Sequence, residues 1–223
     1  MTKSRLEAFS DGVIAIILTI MVLELKVPHG TEVESLRPLL PVFLSYLLSF
    51  VFIGIYWNNH HHMLHAASKV TGGILWANLH LLFWLSLVPF TTAWWGNNPG
   101  APVPTSLYGV VLLLSAVAYW VLQATIVAAH PDGVLARAIG RDVKGKLSIA
   151  LYAVAIAGAA LSPRLAAAIG RDRKGKASVG IYAAAIPLAF VSTWVAVALY
   201  VAVAVMWFVP DRRIETTLRD DRA

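Results

Sequence analysis

Long apolar runs, separated by short polar or Pro- and Gly-containing stretches, dominate this chain of 223 residues. Four of them, within the first 130 residues, are long enough to cross a hydrocarbon core of about 30 Å as helices. They lie at about residues 7–26, 38–66, 72–95 and 105–130. The pattern predicts an all-α integral membrane protein, with residues 1–223 forming a single transmembrane domain.

The first run, "FSDGVIAIILTIMVLEL", has a polar start and an apolar body. Four residues at positions i, i+3, i+4 and i+7 form one stripe on one face of the expected helix: Ile16, Thr19, Ile20 and Leu23. Such a stripe by itself indicates only a face toward lipid or a neighbouring helix. The charged residues Arg5, Glu7 and Asp11 at its start favour a face toward a partner or water, because exposing charge to lipid is costly.

The last third of the chain contains a tandem repeat, in which residues 135–158 return as residues 165–188 with "AIGRD" identical in both copies. Each copy carries basic residues that prefer the cytoplasmic side. Only residues 147–170 separate these basic clusters, which is enough for one crossing and not for two. Either the two basic clusters lie on opposite sides of the membrane, or residues 147–170 do not cross it. The number and order of the helices within residues 146–209 depend on which of these holds.

Two arrangements of this region stay open. Residues 147–169 cross once and residues 177–209 return as one long helix kinked at Pro187, or residues 177–209 form a hairpin of two short helices that turns at Ser192 and Thr193. In the second arrangement residues 147–169 lie in the membrane or re-enter it. Both place the carboxyl terminus inside, and we expect six crossings in total.

Composition agrees with a membrane protein, because 58% of the residues are hydrophobic and 13% are charged, with a mean hydropathy of +0.70. Soluble domains carry about a quarter charged residues. The 18 Lys and Arg residues exceed the 12 acids, but they gather at the ends of the apolar runs, where they fix orientation with both termini cytoplasmic. No basic patch interleaved with aromatic residues suggests nucleic acid. The absence of Cys excludes disulfides, thiolate metal sites and Cys nucleophiles.

Histidines cluster at the end of the second run, in "NNHHHMLH". Consecutive residues of a helix point about 100° apart, so His60, His61 and His62 cannot all ligate one ion. His61 and His65 share a face best, and His62 with His65 less well. Without a nearby carboxylate or Cys, one buried histidine in a polar network is favoured over a zinc site, and no metal or other cofactor is expected. A metal-handling membrane protein stays a minor alternative.

Catalytic motifs are missing from the sequence: it contains no Walker loop, G-x-S-x-G, H-E-x-x-H or G-x-G-x-x-G. Ser10 has no base near it in sequence, and a serine at the start of a helix is most often a cap. Trp76, Asn78 and His80 are weaker candidates, which could hydrogen-bond across helices. The sequence therefore predicts no enzymatic activity.

Four segments together resemble the prokaryotic branch of the transmembrane protein 175 family, the lysosomal-type potassium channels. They are Arg5 with "FSDGVIAI", then "WNNHH", "LLFWLSLVPFTTA" and "FVPDRRIE". The resemblance spans nearly the whole chain except the inserted repeat copy. Its R-x-x-x-F-S-D signature, formed here by Arg5, Phe9, Ser10 and Asp11, is quite specific.

The resemblance implies a homotetrameric, potassium-permeable cation channel with six helices per chain and the first helix lining the pore. It implies no re-entrant carbonyl filter, and the sequence T-V-G-Y-G is absent here. The family's hydrophobic constriction falls on Ile16, its filter-associated threonine on Thr19, and further apolar layers on Ile20 and Leu23. The resemblance also implies a weak preference for potassium over sodium and a location in the plasma membrane of a prokaryote. The partners it implies are the bilayer, potassium and other monovalent cations, and further copies of the chain.

The motif residues, together with Asn59, His60 and His61, are expected to form a cytoplasmic polar network that holds the first helix in place. Asp11 is also expected to raise the cation concentration at the mouth. A secondary transporter or proton-coupled exchanger stays the alternative, because transporters often contain internal repeats, although the repeat here is tandem and peripheral.

Overall fold

The computed structural model describes residues 2–130 and 173–208, and every described secondary-structure element is helical. The helices are α1 (Lys3–Met21), α2 (Leu40–His65), α3 (Gly72–Ser86), α4 (Val88–Asn97), α5 (Pro102–Ala129), α6 (Arg173–Val191) and α7 (Thr193–Phe208). Short 3-10 helices, Val22–Glu24 and Val33–Leu39, lie between α1 and α2. The first repeat copy, the start of the second, the expected crossing at 147–169 and the basic tail lie outside the described residues.

Four helical segments in the described ranges are long and apolar enough to cross a membrane. They are Lys3–Glu24, Val33–His65, Gly72–Asn97 and Pro102–Ala129. The apolar parts of α6 and α7, Ala177–Val191 and Thr193–Trp207, are shorter, about 22 Å each at the rise of an α-helix. The all-α membrane architecture is confirmed, whereas the count of six crossings stays a prediction.

The third span is one segment in hydropathy but two helices in the structure, because α3 ends at Ser86 and α4 begins at Val88. Pro89 has no N–H and its ring crowds the carbonyl one turn earlier, which interrupts the helical hydrogen-bond ladder. The Leu87 N–H instead bonds to the Trp84 carbonyl at 3.2 Å, and the ladder resumes when the Thr91 N–H bonds to the Leu87 carbonyl at 3.2 Å.

The carboxyl-terminal helices form a hairpin, so the single long helix kinked at Pro187 is wrong. Helix α6 continues through Pro187 and ends at Val191, and α7 starts at Thr193. The two helices pack antiparallel. The rings of Tyr182 and Tyr200 lie 6.1 Å apart, and near the open end Trp207 Nε1 donates to Ser178 Oγ at 2.5 Å.

The hairpin packs on α5, the first half of α2 and the end of α4 through a core rich in tyrosine, which includes Tyr108, Tyr182 and Tyr200. Ser49 Oγ of α2 contacts Thr92 Oγ1 of α4 at 2.7 Å and the Tyr108 hydroxyl of α5 at 3.0 Å. A second apolar core joins α1, α2, α3 and α5. Helix α2 takes part in both cores, and α1 lies on α2, α3 and α4.

Candidate functional site

Helix α1 has two faces with opposite environments. Thr2 caps its start, because Thr2 Oγ1 accepts from the Arg5 N–H at 3.4 Å. We call the side packed on α2 and α3 the anchor face; its buried residues are Leu6, Ser10, Ile14, Ile17 and Met21. We call the residues on the opposite side the stripe; they are Ile16, Thr19, Ile20 and Leu23, all exposed in the single chain.

Exposure changes sharply between neighbouring positions of α1. Ile16 is 60% exposed, whereas Ile17 is 3% exposed. Farther along, Ile20 is 41% exposed and Leu23, in the 3-10 turn after α1, is 76% exposed. The four residues predicted to line a pore therefore lie on a surface that no described part of the same chain covers.

Thr19 is the one polar residue of the stripe. Its hydroxyl lies 3.0 Å from both the Ala15 and the Ile16 carbonyl oxygens, to which it donates. Because the proton is directed back to the helix, the hydroxyl oxygen keeps its ability to accept from, or coordinate, a group outside the helix. The stripe is thus an apolar surface interrupted by one oxygen ligand per chain.

A directed chain of hydrogen bonds fixes the anchor face. Ser10 Oγ donates to the Leu6 carbonyl at 2.9 Å, so it accepts from Asn78 Nδ2 at 2.9 Å. Asn78 Oδ1 then accepts from His60 Nε2 at 2.7 Å, which assigns the imidazole proton to Nε2. We call Ser10, Asn78 and His60 the polar chain. All three side chains are buried, and they join α1, α3 and α2 in turn.

Two further contacts tie the start of α1 to the end of α2. Trp57 Nε1 donates to Asp11 Oδ1 at 3.0 Å. Lys3 Nζ donates to the His65 carbonyl at 2.7 Å and lies 4.0 Å from a Glu7 carboxylate oxygen. Because these contacts are exposed to solvent, they position the end of the helix but contribute less to the stability of the fold than a buried hydrogen bond would.

The other residues predicted to form the polar network have different surroundings. Asn59 Nδ2 donates to the Ile55 carbonyl of its own helix at 2.9 Å. His61 stacks on His65, with ring centroids 6.2 Å apart. Arg5 and Phe9 are exposed on the side of the stripe. The structure thus joins Ser10 with His60 and, separately, Asp11 with Trp57.

Sequence reasoning undervalued the residue at the centre of the polar chain. Asn78 was only a weak candidate, although an amide within a membrane span generally needs a partner, and that need was the available signal. Ser10 is not the cap that the sequence suggested: α1 starts at Lys3, and Ser10 lies well inside the helix. Trp57 carried no signal for its bond to Asp11, because 46 residues separate the two.

The histidines do not assemble a metal site in the part of the chain that the structure describes. No group of three or more His, Cys, Asp or Glu residues there is arranged to hold an ion. His60 bonds to Asn78, which leaves His61 and His65 as a stacked pair without a third ligand.

Known potassium channels are similar to this chain in sequence. The family model described as "Endosomal/lysosomal potassium channel TMEM175" matches residues 5–89. A protein named as a potassium channel in Chryseobacterium sp. (strain P1-3) is 44% identical over 222 residues, 99% of this chain and 100% of the relative. Another so named, from Chamaesiphon minutus, is 38% identical over 52% of this chain and 61% of its own length.

A solved structure is also similar. The crystal structure of a lysosomal potassium-selective channel TMEM175 homolog from Chamaesiphon minutus has a TM-score of 0.67 and 27% sequence identity, and the match covers 93% of this chain and 96% of the other. The family and these relatives are channels rather than enzymes. Because the chain is 44% identical to one relative over 99% of its length and shares the fold of a solved TMEM175 homolog, it belongs to the TMEM175 potassium channel family.

Proposed function

We propose that this chain is one subunit of a homotetrameric, potassium-permeable cation channel whose pore is lined by the stripe of α1. The observation that carries the proposal is the contrast between the exposed stripe and the buried anchor face behind it. Four copies arranged around an axis would turn this uncovered apolar surface into the wall of a lumen. The names of the relatives support potassium as the permeant ion.

Ile16 would form the constriction of such a pore. A ring of four isoleucine side chains excludes water when it is narrow and admits hydrated or partly dehydrated ions when it widens slightly. Ile20 and Leu23 would add apolar layers on the same line. Gating then requires only small changes in the spacing of four helices, with no reactive group in the pathway.

Thr19 would supply the oxygen ligands between these apolar layers. Its hydroxyl proton is occupied by the helix backbone, so four Thr19 oxygens could face a cation that has lost part of its hydration shell. Four hydroxyls replace fewer hydration contacts than stacked rings of carbonyls do. We therefore expect a preference for potassium over sodium that is weak.

The polar chain would set the rotation of α1. A helix that turned by one residue would rotate its side chains by about 100°, which would move Ile16 away from the axis. The same rotation would leave the buried groups of Ser10, Asn78 and His60 without partners, at a cost of about 1–3 kcal/mol for each group. The anchor face thus keeps the stripe directed at the lumen.

The proposed location is the plasma membrane of a prokaryote, with the amino terminus in the cytoplasm. Lys3, Arg5 and Lys69 lie at the ends of spans on that side, in agreement with the preference of basic residues for the cytoplasmic face.

The experiment that tests this function is single-channel recording after reconstitution, with symmetric potassium and then with potassium opposite sodium. Ile16→Asn should keep the constriction wetted and raise the conductance. Val22→Asn is the matched control, because Val22 is exposed beside Leu23 but lies about 120° from Ile16 around the helix axis. Unchanged conductance in Ile16→Asn would contradict the proposal, and a saturable, proton-coupled flux far below channel rates would favour the transporter.

A further inference from the structure

The line of the stripe continues from Ile16 toward the amino terminus. Gly12, Phe9 and Arg5 follow at intervals of four, three and four residues, all exposed. With 100° per residue, Arg5 lies within about 20° of the direction of Ile16. It is about 16 Å from Ile16 along the helix axis. A residue with a permanent positive charge therefore lies on the pore line at the amino-terminal mouth.

Arg5 differs from the other charged residues of that mouth in its contacts. Its guanidinium makes no hydrogen bond or ion pair with any residue that the structure describes, and only its backbone N–H is bonded, to Thr2. Lys3 contacts His65 and Glu7, on the far side of the helix from Ile16. Asp11 points about 140° away from the pore line and accepts from Trp57. The charge of Arg5 is therefore not neutralised along the line.

At the opposite mouth the described charges next to Leu23 balance, and farther along the loop Glu32 and Glu34 outnumber Arg37 by one. Glu24 follows Leu23 directly, and Lys26 lies two residues further on, both exposed. The pair contributes one charge of each sign per chain. The field along the pore line is consequently asymmetric, with the positive charge at the amino-terminal end.

We propose that four Arg5 side chains form a positive ring at the amino-terminal mouth, which lowers the local cation concentration there and makes conduction asymmetric. The inference rests on the proposed function, because it needs α1 to line the pore. A ring of fixed charge at a mouth changes the supply of ions from that side. At about 0.1 M salt the screening length of about 10 Å is shorter than the distance to Ile16, so the ring acts on ion entry and not on the constriction.

The test is the single-channel current at equal and opposite voltages in symmetric KCl, recorded for one channel at a time so that insertion orientation does not matter. In about 0.1 M KCl the unmodified channel should carry about twofold more current in one direction. Arg5→Gln should make the two currents equal, and Arg5→Lys should preserve the asymmetry. In about 1 M KCl, where screening falls to about 3 Å, the asymmetry should largely disappear.

Lys3→Gln is the matched control, since it removes the same charge from the same helix end but off the pore line. It should leave the asymmetry unchanged. An asymmetry that persists in Arg5→Gln, or that Lys3→Gln removes equally well, would overturn the inference. Loss of the tetramer in Arg5→Gln, measured by mass in detergent, would also overturn it, because Arg5 would then be an interface residue.

Failure of this inference is distinguishable from failure of the proposed function. If Ile16→Asn raises conductance while Arg5→Gln leaves the current asymmetry intact, α1 lines the pore and only the role of Arg5 is wrong. If neither variant alters the current, both proposals fail.

Discussion

Ile16 and Ile17 are adjacent and chemically identical, yet they belong to opposite regions of the molecule. Ile17 lies in the core formed by α1, α2, α3 and α5, whereas Ile16 faces outward with more than half of its surface exposed. The anchor face uses packing and a directed polar chain; the side chains of the stripe make no hydrogen bond except from Thr19 to its own helix. The comparison separates the part of α1 that stabilises the fold from the part available for conduction.

The largest effect should come from removing side-chain volume at this adjacent pair. Ile17→Ala creates a cavity in a filled core and should lower the free energy of unfolding by about 2–4 kcal/mol. Ile16→Ala removes the same atoms from an uncovered surface and should change it by about 0.5 kcal/mol or less. Thermal unfolding in detergent, followed by circular dichroism, measures both variants. Equal losses would show that the two faces are not distinct.

A somewhat smaller loss is expected at the centre of the polar chain. Asn78→Ala leaves buried polar groups of Ser10 and His60 without their partner and should cost about 1–3 kcal/mol of unfolding free energy. Asn97→Ala is the control, because Asn97 is exposed and its amide bonds only to the Ala93 carbonyl of its own helix. If both variants unfold at the same temperature as the unmodified protein, the polar chain does not hold α1.

On the stripe, the polar position should affect ion preference without affecting stability. Thr19→Val keeps the shape of the side chain but removes the oxygen, and it should change the potassium-to-sodium permeability ratio by about twofold to fivefold. Thr19→Ser retains the hydroxyl and should stay near the original ratio. Reversal potentials under bi-ionic conditions give the ratio, and identical values for both variants would exclude Thr19 as an ion ligand.

The smallest effect should follow from the exposed contact at the end of α1. Trp57→Phe removes the donor to Asp11 but keeps an aromatic ring beside His61. Because water can replace the lost bond, we expect a decrease of only about 0.5 kcal/mol in unfolding free energy. A loss as large as that of Asn78→Ala would mean that the Asp11 contact, rather than the polar chain, fixes the helix.

The sequence predicted the helical class and the spacing of the stripe, because both follow from periodicity. It could not establish that the stripe is uncovered, since exposure depends on which side of α1 meets α2 and α3. The break at Leu87 was not predicted either, although Pro89 was its visible cause.

The histidine cluster shows more clearly what the sequence alone cannot predict. His60, His61 and His62 are chemically identical and differ only in the direction in which they leave the helix. No local sequence pattern indicates which of these directions faces α3. The choice of His60 depends on Asn78, 18 residues later on another helix. Long-range partners of this kind become visible only once the helices are packed.

The central claim, that the stripe of α1 faces the lumen, is tested most directly by cysteine accessibility. The chain contains no cysteine, so single substitutions need no altered background. Leu23→Cys and Val22→Cys form an adjacent pair, of which only Leu23 belongs to the stripe. A charged, water-soluble thiol reagent should block single-channel current through Leu23→Cys, and more slowly through Ile16→Cys, and leave Val22→Cys conducting. Equal block at Val22 and Leu23, or none at Leu23 and Ile16, would contradict the account.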